Sequence, residues 1–100
     1  MDSSLETLFL MLKNELNITW DEEETNLRLS RIVENAVLTM NRKLGATIDY
    51  SEPGQEQELF IAYCMYVYNN CANQFDEHYL NEIMQIRSIY EVKQNEESKS

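Results

Sequence analysis

The sequence predicts an all-α domain: a small bundle of about four helices, with a buried central aromatic helix and a disordered C-terminal tail. Three observations carry this. Only two Gly and one Pro interrupt 100 residues, which favours helices joined by short loops. Apolar residues recur at helical spacing in three separate segments. The stretch Leu59 to Cys71, LFIAYCMYVYNNC, has no charge and holds three of the six tyrosines. At about 100° per residue its apolar side chains go all the way round, so it is expected to be buried on every side. It is shorter than the roughly 20 residues needed to cross a bilayer. Residues 1–92 read as a single helical domain and 93–100 as a flexible tail of Gln, Asn, Glu, Ser and Lys.

The first helix is expected over Met1 to Leu16. It opens on the capping-box pattern Ser3-x-x-Glu6 and carries Leu5, Leu8, Phe9, Leu12 and Leu16 on one stripe. Asn17-Ile-Thr-Trp20 then makes a turn. In the acidic run Asp21-Glu22-Glu23-Glu24, Asp21 reads as the cap of a second helix rather than a metal ligand. The glutamates fall in its first turn, where negative charge is stabilised by about 0.3–1 kcal/mol each. Ile18 or Trp20 is placed to staple onto that helix. The second helix runs to Leu44, with Gly45 as a left-handed terminator. Leu29, Ile32, Val33, Ala36, Val37, Met40 and Leu44 form its core face, and Leu27, Arg31, Glu34, Leu38 and Asn41 its outer face. Residues 46–54 form a loop. The aromatic helix is expected from Pro53–Glu56 to Ala72, and a fourth helix, capped by Asp76, presents Tyr79, Leu80, Ile83, Ile86 and Tyr90 inward.

Net charge is −10. Affinity for phosphate comes from Lys and Arg, so this balance argues against nucleic-acid binding and against anionic membranes. The charge is uneven: −6 over residues 1–26, +3 over 27–48, −4 over 49–75 and −3 over 76–100. The single basic segment coincides with the second helix, where Leu27 and Leu38 read equally as ordinary exposed leucines or, with Arg28, Arg31 and Arg42, as candidates for a subunit contact. Cys64 and Cys71 lie two helical turns apart, about 10 Å, too far for a disulfide. They read as reduced core residues of a cytoplasmic protein. No stretch has the form of a signal peptide or a membrane span.

No catalytic constellation is expected. His78 is the only histidine, beside Asp76 and Glu77, and reads as a solvated surface group. Neither a Glu-x-x-His pair, nor a glycine-rich phosphate loop, nor a nucleophile elbow is present. The expectation is therefore no catalytic residue, no metal and no cofactor.

The order of parts resembles a known family. A leucine-rich first helix precedes Asp21-Glu-Glu-Glu24. A long second helix ends in Leu44-Gly45, a short loop leads to an aromatic helix, and Tyr79-Leu-Asn-Glu-Ile83 precedes Ile86-Arg-Ser-Ile-Tyr-Glu-Val92. This is similar to the small head–tail connector, or head-completion adaptor, proteins of tailed phages and prophages of Gram-positive bacteria. The resemblance spans about residues 5–92. It implies a non-enzymatic structural protein of the virion, assembled in the host bacterial cytoplasm. Such a protein forms a ring below the portal that extends the DNA channel, and its partners are the portal protein and the next head-completion or tail protein. Under that implication Asp21, Glu22, Glu23, Glu24, Asp49 and Glu52 are candidates for an acidic channel wall. Members often have a more apolar or Trp-rich central helix, and the tyrosines and asparagines here depart from that. The alternative is a cytoplasmic helical module that binds or regulates another protein through a helical groove.

Overall fold

The computed structural model describes residues 3–99, with side chains through residue 93. The elements are α1 (Ser3–Glu15), α2 (Glu23–Leu44), α3 (Gln55–Tyr68), a 3₁₀ turn (Ala72–Gln74), α4 (Phe75–His78) and α5 (Leu80–Lys99). Among the described residues the structure is helical, without strands. Met1 and Asp2, expected within the first helix, and Ser100, expected in the tail, lie outside the described residues.

Helix α2 is the element that α1, α3 and α5 all pack against. Its periodicity explains why. Leu29, Ile32, Val33, Ala36, Met40 and Leu44 are buried along one face, with Val37 half-buried at the margin. Leu8 and Leu12 of α1 and Ile83 and Ile86 of α5 join the same core.

Three helices stop in the same way. Asn17, Gly45 and Asn70 take positive φ values of 58°, 74° and 61° just past the ends of α1, α2 and α3. The next amide reaches back to close each end: Ile18 N–H to Lys13 O, Ala46 N–H to Asn41 O, and Cys71 N–H to Tyr66 O. Each is the six-to-one bond of a Schellman cap, which satisfies a terminal carbonyl that the helix leaves free. Gly45 adopts this conformation at no steric cost. Asn enters this region more readily than most other side chains.

Several expectations are corrected. The aromatic helix ends at Tyr68 rather than Ala72, because the left-handed Asn70 stops it. It is not buried on every side: Leu59, Phe60, Ile61 and Cys64 are buried, while Ala62, Met65 and Tyr66 on the far side are only half-buried. Asp21 does not cap α2. The cap position is Glu22 in extended backbone, with no side-chain bond, and Asp21 instead accepts from Asn26 Nδ2 at 2.6 Å. The expected fourth helix is split into α4 and α5 at Tyr79, whose φ/ψ of −118°/21° leaves the helical region. Leu80 is 55% exposed, since the inner face of α5, set by Ile83, Ile86 and Tyr90, lies about 90° from it around the axis. Helix α5 continues as helical backbone through Lys99. Val92 to Lys99 holds mostly good helix formers and no Gly or Pro to stop it.

Two aromatic side chains that pattern reading passed over are part of the core. Tyr50, in the loop after α2, stacks on Phe60 with ring centroids 4.6 Å apart, and its hydroxyl donates to Asn41 Oδ1 at 2.9 Å. Asn41, expected on the outer face, is therefore half-buried by this loop, and its Oδ1 also accepts from Ile48 N–H at 3.1 Å. Phe75 opens α4 fully buried, edge-on to Tyr63 and Tyr66 and stacked on Tyr79.

Candidate interaction surface

The outer side of α2 carries the features that packing within one chain does not explain. Leu27 is 52% and Leu38 67% exposed. Between and beside them lie Arg31, Glu34, Asn35 and Arg42, all exposed. The flank of this face borders α3 across an open groove of about 700 Å³, lined from α2 by Arg28, Arg31, Asn35 and Thr39 and from α3 by Tyr63 and Val67. Asn35, Thr39, Tyr63 and Val67 were not among the residues singled out from sequence. The available signal is the four-three-four spacing of Arg28, Ile32, Asn35 and Thr39, which marks one helix face.

The interface candidates are not equivalent. Arg28 is already engaged: its guanidinium donates to Tyr68 O at 3.1 Å and lies 4.6 Å over the Tyr68 ring. That contact ties the start of α2 to the end of α3. Arg31 and Arg42 make no ion pair among the described residues. The ion pairs found there are Lys13–Asp21 at 3.7 Å and Lys43–Asp76 at 2.6 Å.

The acidic candidates fall into two groups at opposite ends of α2. Asp21, Glu22, Glu23 and Glu24 cluster at its N-terminus, where Glu22 and Glu24 also line the groove. Asp49 and Glu52 lie in the loop that folds back on Asn41. Asp49 is occupied in its own turn, accepting from Ser51 N–H at 3.0 Å and from the Ser51 hydroxyl. A helix of 22 residues is about 33 Å long, so the two groups are far apart on one chain.

For chemistry the surface offers little. His78 is exposed yet not free: its Nδ1 is 2.7 Å from the Tyr66 hydroxyl. Desolvation, then neighbouring Tyr79, pushes the Tyr66 hydroxyl above its ordinary range. Burial pushes the Cys64 thiol up to about 12, leaving it un-ionised and unreactive, while Cys71 is free and half-buried. Among the described residues no group of three His, Cys, Asp or Glu is placed to hold a metal ion, and no helix is long and apolar enough to cross a membrane. Comparison with known proteins finds no matching family model, curated relative or solved structure.

Proposed function

We propose that this chain is a structural assembly protein that docks through the outer face of α2, as a head–tail connector does when it joins a ring below the portal. The observation that supports this best is the pair of exposed leucines, Leu27 and Leu38, set beside Arg31 and Arg42, which make no ion pair among the described residues, on the most embedded helix of the fold. A rigid helix held by the core on one side and apolar on the other is a docking element. The partners are neighbouring copies, the portal protein and the next head-completion or tail protein. In the assembly a neighbour covers the half-exposed tyrosines of α3, so that α3 becomes the central aromatic helix of a four-helix bundle. The high negative charge suits a channel wall, because carboxylates repel passing DNA and offer no counterion release. The role is non-catalytic, without metal or cofactor.

The test is co-assembly. The purified chain mixed with the portal protein from the same gene cluster is expected to form rings visible by electron microscopy. Leu38→Glu abolishes them while leaving the circular dichroism of the chain unchanged. Duplex DNA is expected to stay unbound even at low salt, and its retention would overturn the channel-wall reading. A second reading, a helical regulatory module of the cytoplasm, is favoured by the open groove between α2 and α3, lined by Tyr63 and Val67 on one side and α2 on the other.

A further inference from the structure

The outer stripe of α2 is complementary to itself when reversed. Leu27, Arg31, Glu34 and Leu38 follow at spacings of four, three and four, the spacing that holds one seam along a helix. All four are exposed. Along the stripe the order is apolar, basic, acidic, apolar. Reversing it exchanges leucine for leucine and arginine for glutamate. From this we infer that the free chain pairs with a second copy of itself through α2, the two helices antiparallel about a two-fold axis level with Ile32 and Val33.

In that arrangement Leu27 meets the partner's Leu38, and Leu38 meets the partner's Leu27. Arg31 meets the partner's Glu34, and Glu34 the partner's Arg31. Every contact occurs twice, as an isologous interface requires. Within one chain, among the described residues, neither Arg31 nor Glu34 has an ion pair, so both are available. The ends agree as well. The acidic first turn of α2, Glu23 and Glu24, lies beside the last turn of the other copy, which carries Arg42. The antiparallel helix dipoles add to the attraction. Parallel pairing fails on the same residues: it sets Arg31 against the partner's Arg31 and Glu34 against the partner's Glu34, and like charges across an interface are strongly disfavoured. Charge complementarity thus selects both the occupant and its direction. The seam is only about 17 Å long, so the dimer depends on concentration. It also covers the stripe assigned above to the connector contact. Dimer and ring would then exclude one another, but the dimer itself does not rest on the connector reading.

The test uses the full chain in sedimentation equilibrium across concentration. The wild type is expected to pass from monomer to dimer and stop there. Arg31→Glu alone, or Glu34→Arg alone, is expected to weaken the dimer by about tenfold or more, since each sets like charges together twice. Mixing the two variants in equal amounts restores association, because every charge in the mixed dimer then faces its opposite. The double variant Arg31→Glu/Glu34→Arg restores it within one chain. Circular dichroism confirms that each variant is folded. A chain that stays monomeric at every concentration, an open series of larger oligomers, or a mixture that associates no better than either variant alone would each overturn the inference. A charge-rescued dimer, with no ring formed on the portal at concentrations where the chain is monomeric, would leave it standing and sink the connector reading instead.

Discussion

Helices α2 and α3 reverse the relation between composition and burial. From Leu59 to Cys71 there is no charge, and most of that run is α3, yet only Leu59, Phe60, Ile61 and Cys64 of this helix are buried. Helix α2 carries Glu23, Glu24, Arg28, Arg31, Glu34, Arg42 and Lys43, yet six of its residues are buried and three helices lean on it. Apolar content therefore does not decide which helix is central; periodicity does. The regular stripe of α2 fits against α1, α3 and α5 at once. The uniform surface of α3 has one side for the core and another, with Ala62, Met65 and Tyr66, that is only half-covered by the rest of the chain. This leaves α2 with a dispensable outer face and α3 with a wettable aromatic one.

The largest expected effects test the buried side. Phe75→Ala removes a fully buried ring that touches Tyr63, Tyr66 and Tyr79, and Leu29→Ala hollows the buried face of α2. Costs of about 3–5 and 2–5 kcal/mol, read from urea unfolding midpoints, are expected. Met65→Ala on the far side of α3 should cost clearly less, because that site is already half-exposed. Equal losses at Leu29 and Met65 would break the comparison between the two helices.

Next is the response to alkali. The buried Cys64 thiol ionises near 12 rather than at 9.0 in the unfolded chain, and burial raises Tyr50 as well. Between those values the native state holds protons that the unfolded state has lost. The contribution of these groups to stability should therefore be constant below pH 9 and fall away as pH rises toward 12. Cys64→Ala should make that fall shallower, as measured by denaturation at stepped pH. An identical slope would mean that the thiol plays no part in it.

Smaller effects sharpen the picture. Gly45→Ala puts a side chain at φ 74°, where open space surrounds the position, so the expected cost of about 1 kcal/mol is backbone strain alone. Smallest is Leu38→Glu, expected within about 0.5 kcal/mol of wild type in stability although it abolishes association. If it unfolds the chain, the outer face has been misassigned.

How far the sequence reveals this structure depends on how local each signal is. The helical periods of α1 and α2 survive intact, as does the Gly45 stop, because each is encoded within a few residues. The exposure of Leu27 and Leu38 follows from the same period. Tyr50 and Phe75 escape because their burial is decided by partners far along the chain: Phe60 and Asn41 for one, α3 for the other. Asn41 lies on the outer stripe by period and is half-covered only because the following loop doubles back. The split at Tyr79 escapes for a related reason. Neither Gly nor Pro marks it, and the turn is set by Phe75 packing into the aromatic cluster. The groove beside α3 depends on how two helices sit together, and no single stretch records it.

The long last helix has a consequence for how this molecule travels. Among the described side chains the last of its residues to be buried is Ile86, while its backbone continues to Lys99, and the described residues measure 50 × 30 × 18 Å. Its radius of gyration is 14.5 Å, against about 13 Å for a compact chain of 100 residues. An elongated body meets more friction than a sphere of equal mass, so one copy of 11.9 kDa elutes early from a sizing column and diffuses slowly. A column calibrated with round proteins would therefore overestimate its mass and shift the apparent count of copies upward. Light scattering or equilibrium sedimentation, which weigh the particle whatever its outline, are the methods able to count copies in this case.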